Sequence, residues 1–165
     1  MYRSIQDFKT DFQNENVATL KILKNITNEA LLHKANDNIR SIQRLTWHFT
    51  LTLGEMLGKA GLKINCPDEH TTPPDNIDTI YNTYKRAAES VLEQVSTWND
   101  NDLNTEVPMY GDTWTKGIVL SVLIRHEIHH RGQLTVLMRL NGLKVPGIYG
   151  PSKEEWAEWN MPSAE

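Results

Sequence analysis

The stretch from Thr113 to Gly142 constrains the fold more than any other, because it reads as one helix that is apolar on two sides. Laid out at about 100° per residue, it puts Val119, Val122, Leu123 and Leu137 on the same side as His126, His130 and Gln133. Leu120, Ile124, Ile128, Thr135 and Met138 fall roughly opposite. A helix with two apolar sides must bury both. One side demands a bundle core. The other must pack on a neighbouring helix of the same chain or on a second copy across a two-fold axis. We expect the second copy, a homodimer through helix four.

Three further helical segments supply the bundle. The first runs from about Ser4 to Ile26, with Ile5, Phe8, Phe12, Leu23 and Ile26 on one face. Asn36 to Asn38 offer cap-type residues for a second, which continues to about Lys59 and stops near Gly61. Pro67, Pro73 and Pro74 then exclude helix. The third, about Asp75 to Trp98, sets Ile77, Ile80, Tyr84, Ala88, Val91 and Val95 at helical spacing. A break containing Pro108 and Gly111 follows, so Thr113 is the expected cap of helix four. Asn141-Gly142 suits its C-terminus. Ser152-Lys153-Glu154-Glu155 is a capping-box pattern for a short last helix carrying Trp156 and Trp159. No alternating strand pattern of useful length is visible. The expectation is an all-α four-helix bundle with a short additional C-terminal helix, forming a single domain over residues 1–165.

Composition narrows the function classes. With 165 residues, 39% hydrophobic and 23% charged, the chain suits a globular protein with a sizeable core. A net charge of −4 leaves no electrostatic footprint for nucleic acid. The longest strongly apolar run, Ile118 to Ile124, is too short to span a bilayer. Asp7, Asp11 and Glu15 near the start argue against a signal peptide. Cys66 is the only cysteine, so no intrachain disulfide can form. We therefore expect neither nucleic acid nor membrane as a partner, and a cytoplasmic location.

His126 and His130 are four residues apart and share one helical face. That face is otherwise apolar, and buried imidazoles need partners. Two readings are open: one metal ion held between the rings, as in the two-histidine helical motifs of zinc enzymes, or core histidines bonded to carbonyls or carboxylates. A third ligand must come from another helix, and His48 is the best placed. Its face mixes Leu45 and Leu51 with Ser41, Arg44, Thr52 and Glu55, which fits a solvent stripe or the polar wall of a pocket equally. His33 and His70 fall in expected loops, and His129 at the rim of the paired face. Gln133 can orient a ligand or simply pack, and Glu127 and Arg131 can form an intrahelical pair. Trp47, Trp114 and Tyr110 read as pocket lining or core, and Cys66 as incidental.

The helix-four motif His126-Glu127-Ile128-His129-His130-Arg131-Gly132-Gln133 runs on through Asn141-Gly142-Leu143-Lys144-Val145-Pro146, and Leu45-Thr46-Trp47-His48 lies on helix two. On these residues, and in the order of its elements, the whole chain resembles the DinB/YfiT-like superfamily of bacterial metal-binding four-helix bundles. The resemblance implies metal ligands at His48, His126 and His130, with zinc or nickel as the ion. It also favours dimers. Characterised relatives include transferases and isomerases that use low-molecular-weight thiols such as bacillithiol or mycothiol. The implied function is a metal-dependent thiol S-transferase, in which a small-molecule thiol is activated to attack an electrophilic substrate. The alternatives are a hydrolase that activates water and a stress-related metal-binding protein without turnover.

Overall fold

Each long helix begins at a residue whose side chain closes the first turn. The computed structural model describes residues 2–160 and Pro162. Helix α1 spans Ile5–Leu23, α2 Ile42–Lys59, α3 Ile77–Val95 and α4 Lys116–Leu140, and a short α5 spans Lys153–Glu158. Ser4, Ser41, Asn76 and Thr115 have extended backbones, and each accepts a hydrogen bond from the backbone N–H three residues on, at 3.0 to 3.3 Å. The capping box at Ser152 and Glu155 forms as the sequence pattern implies. Helix α2 starts later than Asn36–Asn38. The Asn36 side chain accepts instead from the Asn38 N–H at 2.9 Å, holding a turn rather than a helix end.

The break before α4 is a β-hairpin, not a loop. Strands β1 (Glu106–Met109) and β2 (Asp112–Thr115) pair antiparallel, with Glu106 opposite Thr115 and Met109 opposite Asp112. Tyr110 and Gly111 join them with φ of 52° and 83°, the left-handed pair that a two-residue hairpin turn requires. Thr113 therefore sits mid-strand, and the helix cap passes to Thr115. Pro108 is tolerated because both strands of this two-stranded sheet are edges.

Around the bundle, α4 packs between α1 and α2, and α3 packs between them on the other side. Residues on both sides of α4 are thereby buried within the chain. Val119, Leu123 and Leu137 are core on the histidine side, and Leu120, Ile124 and Met138 are core on the other. Of the stripe expected to form a dimer interface, Leu120, Ile124 and Met138 are buried within the chain, while Ile128 and Thr135 are half-buried.

That second side carries buried charge. Arg131 and Glu127 do not pair with each other; both reach toward α1. Arg131 forms a buried ion pair with Glu15 and donates to the Glu15 carbonyl and to Thr19 Oγ1, each at 3.1 Å. The Thr19 hydroxyl donates to Glu127 Oε1 at 2.5 Å, and Tyr84 of α3 donates to the same oxygen at 2.6 Å. Tyr149, beyond α4, accepts from Arg131 at 2.6 Å and donates to Glu15 at 2.7 Å. Burial raises the Glu127 carboxyl above the usual range, against the hydrogen bonds from Thr19 and Tyr84. One network so ties α4 to α1, α3 and the C-terminal segment.

Removing one partner of a buried ion pair leaves the other charge desolvated. Arg131→Ala should lower unfolding stability by about 3–5 kcal/mol. Tyr149→Phe, which deletes one hydroxyl at the network's outer end, should cost about 1 kcal/mol. Urea denaturation of the two variants checks the ranking, and equal losses would contradict a buried pair at the centre of the network.

Candidate metal centre

Helix α2 brings His48 against the histidine side of α4. His48 Nε2 lies 3.2 Å from His126 Nε2, and His130 Nε2 lies 3.0 Å from His126 Nε2. One ligand atom from each of the three residues falls within 4.8 Å of the other two. The rings meet edge-on, with interplanar angles of 68° to 83° and centroids 4.4 to 5.0 Å apart. A tetrahedral ion with bonds of about 2.05 Å to imidazole nitrogen sets those nitrogens about 3.3 Å apart. The donor set therefore fits a divalent cation.

Proton counting points the same way. Gln133 presents its amide oxygen to His130 Nδ1 at 2.8 Å and its amide nitrogen to His129 Nε2 at 3.0 Å. An amide oxygen only accepts, so His130 Nδ1 carries the proton and, in the neutral ring, Nε2 is bare. His126 Nε2 faces two nitrogens at once and can offer a proton to only one. A cation at the centre satisfies all three lone pairs, whereas hydrogen bonds among the rings do not. Burial, followed by Arg40, His130 and Arg44, pushes His48 down to about 4. Burial and the neighbouring imidazoles push His126 down to about 4. Burial also lowers His130, against the hydrogen bond to Gln133. All three rings are neutral near pH 7, the form that coordinates metals.

Two larger cavities flank the cluster, besides one of about 140 Å³ where His48 meets Arg44, Glu55, Glu69 and His70. One, of about 450 Å³, opens beside His130 and runs along α4. The other, of about 410 Å³, is lined by His48, Thr52, Glu55, Met56, Tyr110 and His126. The hairpin builds the second by swinging Tyr110 over α2, where its hydroxyl donates to Glu55 at 3.0 Å. Lys59 donates to the same carboxylate at 2.9 Å. Burial alone would raise Glu55, but the hydrogen bonds from Lys59 and Tyr110 outweigh it and hold the carboxyl below its usual range.

The other singled-out residues separate clearly. His33 and His70 are exposed and outside the cluster, and His129 is exposed at its rim behind Gln133. Cys66 is half-buried and donates to the Thr50 carbonyl at 3.4 Å. Its thiol is pushed up to about 11 by burial, which makes it a poor nucleophile. Trp47 is core, its indole N–H donating to the Thr71 carbonyl at 2.7 Å, while Trp114 is half-buried edge-on to Tyr110. Glu127, next in sequence to His126, turns into the network with Thr19 and Tyr84 and away from the imidazoles. Sequence reasoning did not single out Arg40 at the His130 cavity, and it read Glu55 only as part of a mixed face. No short-range spacing marks either residue.

Among the described residues, the ligand atoms grouped so that they could hold a metal ion are those of His48, His126 and His130, set in a four-helix bundle. The DinB family model matches residues 1–161, and the chain belongs to the DinB family. It is 34% identical over 162 residues to the uncharacterized protein YrdA of Bacillus subtilis, covering 98% of this chain and 97% of that one. The crystal structure of a DinB-like protein from Bacillus cereus superposes with a TM-score of 0.86 at 33% identity, covering 90% of this chain and all of the other. A second DinB-like structure, YjoA of Bacillus subtilis, shares the fold, with a TM-score of 0.69 at 21% identity over 88% of this chain and 98% of that one. Among the described residues, no helix is long and apolar enough to cross a membrane.

The lowered histidines set a pH dependence for the metal-free protein. In the unfolded chain they titrate near about 6.5, and in the folded chain His48 and His126 titrate at about 4. Between those values the unfolded chain takes up protons that the folded chain refuses. Their contribution is therefore present above about pH 6.5 and lost as pH falls toward 4. Denaturant midpoints of metal-free protein should fall from pH 7 to pH 5, and His48→Asn with His126→Asn should flatten that fall. Parallel curves for wild type and the double variant would contradict the burial of neutral imidazoles.

Proposed function

We propose that this protein is a metal-dependent thiol S-transferase-type enzyme. His48, His126 and His130 hold a divalent zinc or nickel ion, and a low-molecular-weight thiol attacks an electrophile beside it. The observation that carries the reading is the convergence of three neutral imidazole nitrogens between two cavities, with space on each side for one reactant. Three protein ligands leave coordination positions open, as in catalytic rather than structural sites. An ion held only by neutral ligands keeps its full charge, and when bound it lowers the pKa of a thiol and favours the nucleophilic thiolate.

The chain's own residues do the rest. Gln133 fixes the His130 tautomer, so that Nε2 faces the centre. The Tyr110 hydroxyl and Thr52 give the His126 cavity polar walls, and Glu55 gives it one negative charge. The thiol proton leaves to solvent, and the sulfur lone pair forms the new S–C bond. Where the electrophile carries a leaving group, that group departs with the bonding pair. Hydrolysis needs a proton acceptor beside the attacking water. Glu127 is committed to Thr19 and Tyr84, and Glu55 is held below the usual carboxylate range by Lys59 and Tyr110. Glu127 is thereby turned away from the imidazoles, and Glu55 is a weakened base toward an attacking water.

Elemental analysis of protein purified without an affinity tag should find about one zinc or nickel per chain. His48→Ala, His126→Ala and His130→Ala should each lose most of it, whereas His33→Ala and His70→Ala should keep it. Gln133→Ala should weaken metal affinity by about tenfold or more. Thiol-dependent consumption of an electrophile should vanish on chelation and return with added metal. Full occupancy in the His126 or His130 variant sinks the site, and a thiol-independent hydrolysis rate sinks the chemistry.

A further inference from the structure

The cavity beside His130 differs in character from the one beside His126. Its walls are Leu45 of α2, Leu137, Val136 and Leu140 of α4, and Ile39 and Arg40 of the segment before α2. Ile39, Val136 and Leu140 are 39%, 59% and 58% exposed, so three large apolar side chains gather around one opening. Solvent-facing apolar groups concentrated at a cavity mark a binding surface more often than scattered ones do. Among the described residues no carboxylate lines it, and Arg40 is its one formal charge beside the neutral His130. Arg40 is near enough to His48 and His130 for its charge to lower both. A volume of about 450 Å³ suits a small organic molecule.

We propose that this cavity binds an amphipathic organic anion, its aliphatic body along Leu45, Val136, Leu137 and Leu140 and its acidic group on Arg40. This deepens the thiol-transfer reading and rests on it for one point, that the bound acid is the electrophilic partner. Charge complementarity selects the anion, because a cation would face Arg40 with no carboxylate to offset it. The other cavity, with Glu55, Thr52 and Tyr110, is left for the more polar thiol.

Calorimetric titration of the metal-loaded protein with unreactive probes tests the binding without turnover. Octanoate should bind more tightly than octanol or octylammonium, and affinity should rise about threefold per methylene from butanoate to octanoate. Arg40→Gln should weaken octanoate by about fivefold and leave octanol unchanged. Val136→Asp, at an exposed position that does not threaten the fold, should weaken octanoate on the order of tenfold. Octylammonium binding as tightly as octanoate, or a flat chain-length series, overturns the proposal. So does undiminished octanoate binding in Arg40→Gln, which would mean that the ion alone holds the carboxylate. Octanoate binding without any thiol transfer retains this cavity and defeats the enzymatic reading. Thiol transfer without octanoate binding does the reverse.

Discussion

The buried pair between Arg131 and Glu15 fixes where α4 can sit, and most of the site follows from that. Both side chains are almost fully excluded from solvent, and desolvating two charges is tolerable only when each finds its partner and further hydrogen bonds. Sliding α4 by one turn, about 5.4 Å, would leave Arg131 against apolar side chains and strip Thr19 and Glu127 of their contacts. Apolar packing alone is less selective, since a 25-residue helix with two greasy sides can settle in more than one register. The polar network removes that freedom. His126 and His130, on the other side of the same rigid helix, are then held at one height and one rotation against His48.

This division of labour explains what was legible in the sequence. The 3.6-residue period gave the four helices, their core faces and the i, i+4 histidine pair, because each is a property of one local segment. Glu127 and Arg131 were legible only as neighbours one turn apart, and their actual partners on α1 lie more than a hundred residues away. The same limit applied to His48. Its helical face mixes polar and apolar residues because it borders two cavities and the loop containing Glu69 and His70, which helical phase alone does not reveal. Resemblance to known bundles, not periodicity, grouped His48 with the other two, and its Nε2 lies 3.2 Å from that of His126.

The hairpin escaped for a different reason. Its strands are four residues each, Pro108 interrupts the first, and the turn is Tyr-Gly rather than the Asn-Gly or Asp-Gly that marks such turns most plainly. Tyr110 adopts a left-handed conformation that a bulky side chain takes at some cost. Its hydroxyl reaches Glu55, its ring packs edge-on to Trp114, and Lys59 sits 5.4 Å over it. Those contacts are tertiary, so nothing in the local sequence announces that the turn will be stabilised.

The cluster and its surroundings come from different kinds of structure. The three imidazoles stand on α2 and α4, where side-chain direction is set by helix geometry and the buried network. The walls on either side come partly from connections: Ile39 and Arg40 before α2, and Tyr110 at the hairpin tip. Connections tolerate substitution, insertion and changes of charge far better than packed helices do. An arginine or a tyrosine can therefore be exchanged there without displacing any of the three nitrogens. The imidazole cluster and the walls that border it are physically separable in this fold. A bundle of this kind can keep one histidine cluster while the segments around it change the surfaces that border it.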